Sequence, residues 1–294
     1  MRKFNSKNLN AKPFLKWVGG KRKLIPQLEV KFPDYIKSNE FTYVEPFLGG
    51  GAMFFYLISK YSIKKAYLND LNDKLINCYQ NVRDQSERLI KQLKKLEKDY
   101  YSSNDKELFY LARREEFNNL KLSLKKSVLL IFLNKTGFNG MYRENSKGEF
   151  NIPFGKMNNP TICNEELIMN VSNILNDNDI VFSSKSFEDV LIDEKNVFYY
   201  LDPPYRPISK TSDFTSYTSN KFDDELQLKL KEHCNKINLK DSFVMQSNSF
   251  SEDKFFQKLY SDMKIKNIYA ARSISADGSK RGKAKEIIIT NYES

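Results

Sequence analysis

Histidine is almost missing from this sequence: among 294 residues there is one, His233. A single histidine argues against a Ser-His-Asp triad as the engine and against a His-rich metal site. Cysteine is scarce as well. Cys78, Cys163 and Cys234 are odd in number, far apart and form no CxxC, so neither a disulfide framework nor a zinc site is signalled. Long apolar runs are lacking too. The longest aliphatic stretch, Val128-Leu129-Leu130-Ile131-Phe132-Leu133, is far too short to span a bilayer. Met1-Arg2-Lys3-Phe4-Asn5 is basic but carries no apolar core of a signal peptide. These absences lead us to expect a soluble protein of a reducing compartment, cytoplasmic, with no metal and no membrane partner.

The residues present are enough for one large or two moderate domains, with 40% apolar composition. Formal net charge is +11 and the pI is about 9.2, with both signs mixed along the chain. That balance favours a polyanionic partner, because each phosphate neutralised releases condensed counterion. A lysine-rich solvated surface has the same composition, so charge only tilts the reading. From Thr42 to Leu75 the pattern is strand, glycine turn, helix, strand: Tyr43–Phe47, Leu48–Gly51, Ala52–Ser59 and Ala66–Asn69. Long helical periodicity follows to about Leu133, then a polar stretch from Asn134 to Asn159. Strand-like runs resume at Ile180–Phe182, Val197–Leu201, Phe243–Met245 and Glu286–Thr290. Strands alternating with helices on both sides of a helical block predict an α/β fold interrupted by a mostly helical insertion.

The apolar run Val197-Phe198-Tyr199-Tyr200-Leu201 stops at Asp202-Pro203-Pro204-Tyr205. The prolines have fixed φ and no N–H, so the backbone past the strand is rigid while its carbonyls remain acceptors. A carboxylate, a carbonyl and an aromatic face at one strand end can grip an exocyclic amine on a planar heterocycle, such as adenine N6. An ordinary Pro-rich turn whose Tyr covers the core has the same letters.

Upstream, Phe47-Leu48-Gly49-Gly50-Gly51 lies between the first strand and its helix, where a nucleotide-binding turn belongs. It has neither the GxxxxGK[ST] phosphate cradle nor the GxGxxG spacing. Asp70, about twenty residues past the turn, ends the second strand, where an acid commonly binds ribose hydroxyls. Together they suit an adenosine without a pyrophosphate. Pro13-Phe14-Leu15-Lys16-Trp17-Val18-Gly19-Gly20-Lys21 holds the only tryptophan and a lysine able to meet a carboxylate. Ser247 and Asn248, ending another strand, are candidates for a pocket wall or for a turn. Arg272, Lys280, Arg281 and Lys283 surround a Gly/Ser segment, which is either a phosphate-contacting loop or a solvated hairpin.

Taken in order, Lys16-Trp17-Val18-Gly19-Gly20-Lys21, Glu45-Pro46-Phe47-Leu48-Gly49-Gly50-Gly51 and Asp202-Pro203-Pro204-Tyr205 resemble the motifs of the Dam-type DNA adenine N6-methyltransferases (D12 class, alpha group). Phe138–Arg143 through Gly148–Gly155 resembles that family's DNA-reading hairpin, and Glu286–Tyr292 its closing strand. The likeness spans nearly the whole chain and is nearest to GATC-directed methylases of bacterial or phage restriction–modification systems. It implies a Rossmann-like methyltransferase sheet over residues 1–74 and 165–294, with an inserted target-recognition domain over 75–164 carrying a β-hairpin. It implies S-adenosylmethionine as cofactor, contacted by Trp17, Lys21, Phe47, Gly49, Gly51, Asp70 and Asp202. It implies Asp202, Pro203 and Tyr205 at the reacting amine of a flipped adenine. It also implies DNA contacts from Phe138, Asn139, Met141, Arg143, Pro153, Lys280 and Arg281, with a cognate endonuclease acting separately on the same site. The family varies at neighbouring hairpin positions, and Tyr142 and Glu144 here are expected to bear on an outer base. Two rival readings remain: a methyltransferase of RNA adenine or of a protein amide, and a non-catalytic DNA-binding protein on the same fold. Oligomeric state is not legible.

Overall fold

The computed structural model describes residues 12–206, 222–271 and 283–293. Its helices are α1 (Ile25–Glu29), α2 (Asp34–Ser38), α3 (Ala52–Lys60), α4 (Asp73–Asp84), α5 (Ser86–Ser102), α6 (Lys106–Asn119), α7 (Leu124–Thr136), α8 (Glu165–Asp177), α9 (Asp224–Asn238) and α10 (Phe255–Leu259). Its strands are β1 (Phe41–Glu45), β2 (Ile63–Asn69), β3 (Ile180–Ser183), β4 (Phe198–Leu201), β5 (Phe243–Ser249), β6 (Lys264–Ala271) and β7 (Lys283–Thr290). The α/β expectation is borne out as a seven-stranded sheet of order β3-β2-β1-β4-β5-β7-β6. The first five strands are parallel, and β7 runs antiparallel to both β5 and β6.

Burial on both faces explains why β1 and β4 are apolar without alternation. Tyr43, Phe198, Tyr200, Met245 and Ile288 join one core cluster with α3, α4 and α8. Val44, Tyr199, Leu201, Val244, Ile287 and Ile289 join the other, against α9 and α10. Helices α4, α6, α7, α8 and α9 start with side-chain caps at Asn72, Asp105, Ser123, Asn164 and Asp223, each accepting from a backbone N–H of the first turn. Helices α4, α5, α7 and α8 pack on one another, and α6 on α5 and α7.

Three differences from the sequence expectations are physical. β6 was not anticipated: Lys264-Ile265-Lys266-Asn267-Ile268 has no continuous apolar run because it lies at the sheet edge. β5 continues through Ser247 and Asn248 to Ser249, so these two residues are buried within the strand and make no turn. Their polar atoms are satisfied there by the Tyr200 hydroxyl at 3.0 Å from Ser247 Oγ and by Gln227 Oε1, which accepts from Asn248 Nδ2 at 3.3 Å. β2 begins three residues earlier than the apolar pattern, at Ile63, because its outward Lys64 and Lys65 mask the strand. Among the described residues, no helix is long and apolar enough to cross a membrane.

Candidate active site

In the order β3-β2-β1-β4-β5, the chain winds one way from β1 and the other way from β4. The crevice beyond the carboxyl ends of β1 and β4 is thus the topological switch point, where open α/β sheets bind ligands. Glu45, Asp70 and Asp202 end or directly follow β1, β2 and β4 at that edge.

Lys21, from the N-terminal segment, is 6% exposed and places Nζ 3.0 Å from Asp202 Oδ1. The same ammonium donates to the Gly19 carbonyl at 3.0 Å and lies 4.5 Å from the centre of the Tyr205 ring. Burial raises the Asp202 carboxyl above its ordinary range; Lys21 opposes that shift and Glu286 adds to it. Tyr205 is half-buried, and its hydroxyl donates to Glu286 Oε2 at 2.6 Å. Glu45 is buried and accepts from the Tyr43 hydroxyl at 2.9 Å. Burial, with the nearby Asp202 and Asp70 charges, raises its carboxyl well above its ordinary value, and the Tyr43 hydroxyl opposes that rise.

Gly49 and Gly51 adopt φ of +49° and +67°, the left-handed region that glycine tolerates. Asp70 braces this turn. Its Oδ2 accepts from Gly49 N at 2.9 Å and its Oδ1 from Asn72 N at 2.9 Å. Burial raises the Asp70 carboxyl and the two amides oppose the rise. A carboxylate offers about four lone-pair sites, so Asp70 retains acceptors beyond these two. Trp17 lies directly on the turn: a Cβ at Gly49 would come within 2.8 Å of Trp17 Cδ1. Phe47 instead packs sideways, its ring 5.4 Å from Phe187 and 5.9 Å from Phe222.

The hairpin over residues 143–151 is closed by the Glu144–Phe150 bridge and by Asn145 N donating to Glu149 O at 2.9 Å. Phe138 is 49% exposed and Asn139 and Pro153 are also exposed, Phe138 N donating to Pro153 O at 2.9 Å. Met141 is half-buried against the core. Arg143 donates through Nε to Asn151 Oδ1 at 2.8 Å; among the described residues no hydrogen bond uses its two terminal nitrogens. Tyr142, expected to bear on an outer base, is turned inward. It is 7% exposed and stacks on Trp17 at 5.2 Å, and its hydroxyl donates to Glu144, which in turn pairs with Lys74 at 3.2 Å. Tyr142 thus joins the hairpin to the glycine turn through Trp17. Asn134 adds a second tie, exchanging hydrogen bonds with the Lys16 backbone at 2.8 Å in both directions. Lys280, Arg281 and Arg272 lie outside the described residues.

The structure therefore brings Trp17, Lys21, Gly49, Gly51, Asp70, Asp202 and Tyr205 to one edge, and sets the exposed Phe138, Asn139 and Pro153 on the adjoining hairpin. Sequence reasoning missed Glu45, Tyr142 and Glu286 as members of this neighbourhood. The available signal for Glu286 was an acid opening an apolar strand.

Comparison with known proteins agrees with this geometry. A sequence profile described as "D12 class N6 adenine-specific DNA methyltransferase" matches residues 17–274. The chain is 40% identical over 291 residues to a type II methyltransferase, M.MjaIII, of Methanocaldococcus jannaschii, covering 97% of this chain and 100% of that one. It is 40% identical over 289 residues to the type II methyltransferase M1.LlaDCHI of Lactococcus lactis, covering 97% and 96%. Against the DNA adenine methylase of Escherichia coli K12 it is 32% identical over 277 residues, covering 94% and 93%. The mixed seven-stranded sheet is that of an S-adenosylmethionine-dependent methyltransferase. A profile spanning most of the chain, and relatives aligned end to end, leave one assignment: this protein is an enzyme of the D12 class of N6 adenine-specific DNA methyltransferases.

Proposed function

We propose that the protein methylates adenine N6 within GATC in duplex DNA, after the adenine is flipped out of the helix, and that it protects or marks DNA in a restriction–modification system. The observation that carries this reading is the cluster of Lys21, Asp202 and Tyr205 at the switch point of the sheet. Enzymes of this class use S-adenosylmethionine in general. The residues here fit it: a glycine turn with two positive φ values, a braced acid with spare acceptors at the end of β2, and an indole against the turn. When bound, that cofactor supplies a methyl group activated by a sulfonium. Trp17, Lys21, Phe47, Gly49, Gly51, Asp70 and Asp202 are the residues proposed to hold it.

Asp202 and the Pro203 carbonyl accept the two hydrogens of N6. That weakens conjugation of the amine with the ring and localises its lone pair. Lys21 pairs with Asp202 Oδ1 and opposes the burial that raises that carboxyl. The ammonium also covers one face of Tyr205, so a base stacks on the other face. Positioning of this kind supplies much of the rate of a direct displacement. An adenine inside a duplex cannot reach such an edge, hence the flipping.

Residues 75–164 serve as target-recognition domain and 1–74 with 165–294 as catalytic domain. Phe138 is an apolar wedge for a disturbed stack. Arg143, anchored through Nε, offers its terminal nitrogens to guanine O6 and N7. Asn139, Met141, Pro153, Lys280 and Arg281 complete the duplex contacts. A cognate endonuclease acts on the same site separately, in the cytoplasm.

Arg143→Ala is expected to cost about 1–3 kcal/mol of discrimination at the guanine, because a bidentate pair is lost. Single-turnover rates on duplexes with each GATC base replaced in turn test it. An equal slowing of GATC and of its guanine-substituted variants would show that Arg143 touches only the backbone. Asp70→Ala is expected to weaken cofactor binding by about 1.5–3 kcal/mol through loss of a charge-assisted hydrogen bond. Calorimetric titration checks this, and unchanged affinity would remove Asp70 from the cofactor site.

A further inference from the structure

We infer that Glu286, on β7, is a positioning residue for the methyl-transfer reaction, fixing the ring of Tyr205 by accepting a hydrogen bond from its hydroxyl. The inference rests on the proposed role of Tyr205 at the target base and extends it to the closing strand β7. β7 runs antiparallel to its neighbour β5, so its early residues arrive at the same edge as the carboxyl ends of β4 and β5. Glu286 pairs there with Ser249, the end of β5, and its Oε2 stands 2.6 Å from the Tyr205 hydroxyl.

Tyr205 follows two prolines, so its backbone is held, but its ring can still turn about two side-chain bonds. Two contacts remove that freedom. The Lys21 ammonium sits 4.5 Å from the ring centre, and Glu286 holds the hydroxyl at the far end. A ring fixed at face and tip presents its opposite face in one plane, which is what in-line attack by a stacked base requires. At 2.6 Å the hydrogen bond is short for an O–H donor. Glu286 also adds negative charge near Asp202, opposing Lys21 in its effect on that carboxyl. Glu286 therefore acts through Tyr205 and, more weakly, through Asp202, without touching the base.

A double-mutant cycle on the full chain tests this. Glu286→Ala is expected to lower the single-turnover rate about tenfold, the equivalent of one hydrogen bond, with cofactor affinity and non-specific DNA affinity unchanged. Tyr205→Phe keeps the ring and removes only the hydroxyl; it should fall to the same extent, and the double variant no further. Glu286→Gln retains an acceptor oxygen and should recover most of the rate. Multiplying losses in the double variant, a wild-type rate for Glu286→Ala, or an equal failure of the Gln and Ala variants would each overturn the inference. A loss confined to melting temperature or cofactor affinity would show a merely structural role and overturn it too. Should Glu286→Ala not fold, the Tyr205→Phe and Glu286→Gln pair carries the same cycle. The cycle reads any measurable methyl transfer, so it stands apart from the proposed acceptor. Labelled methyl appearing in RNA or protein instead of duplex adenine N6 would refute the function while the cycle still judged Glu286.

Discussion

Asp202→Ala is expected to lower single-turnover N6 methylation about 10²–10³-fold, the scale seen when one preorganised polar contact at a reacting centre is removed. Non-specific DNA affinity should remain, since it comes from phosphate contacts elsewhere. The alanine variant has a second effect. Lys21, whose side chain is only 7% exposed, loses its ion partner, and an unpaired buried charge is costly. Asp202→Asn separates the two effects, because it keeps the shape and one acceptor oxygen while removing the charge. Thermal melts and rapid-quench rates on both variants make the comparison. A folded Asn variant with wild-type rate would show that the carboxylate charge has no part in the reaction.

The single histidine is expected to set an acid limb of the stability curve. His233 is 1% exposed, wedged between Phe187 and Tyr199, and neither ring nitrogen has a hydrogen-bond partner among the described residues. Burial, with a smaller contribution from Lys236, lowers its pKa from 6.5 to about 4. The unfolded chain therefore binds this proton first as pH falls. The neutral ring's contribution is fully present above pH 6.5 and is lost as pH falls from 6.5 towards 4, amounting to about 2 kcal/mol at pH 5. Urea unfolding of wild type and His233→Leu across pH 7.5–4.5 reads it as a difference, in which the titrations of other groups cancel. Wild type should lose stability relative to the leucine variant through this window. Two parallel curves would mean that His233 titrates alike in folded and unfolded chains.

The fold was legible where burial on both faces forced continuous apolar runs, as in Val197–Leu201, and where a glycine turn interrupted them. The site was legible where a residue's chemistry and its place at a strand end coincide: Asp70, Asp202, and Lys21 in search of a carboxylate. What escaped depended on partners distant in the chain. Ser247 and Asn248 read as a strand end because polar letters in a buried strand make sense only once Tyr200 and Gln227 stand beside them. Tyr142 read as a surface neighbour of Arg143, since nothing local says that the hairpin turns this ring inward onto Trp17. β6 hid because edge strands are marked by lysines and alternation, and its outer backbone is capped by Gln27, which donates to Tyr269 O at 2.9 Å. Helices α1 and α2 are one turn or so each, too short for any periodicity to emerge.

β7 follows β5 and β6 in the chain yet lies between them in the sheet. While the ribosome is still making the residues beyond Ala271, the facing edges of β5 and β6 have no strand to bond with, and unpaired edges invite other chains. Insertion of β7 closes both edges in one step, and that same step delivers Glu286 to Tyr205. A chain stopped short of this strand is thus left both sticky and without its full reacting edge, so solubility and catalytic competence arrive together.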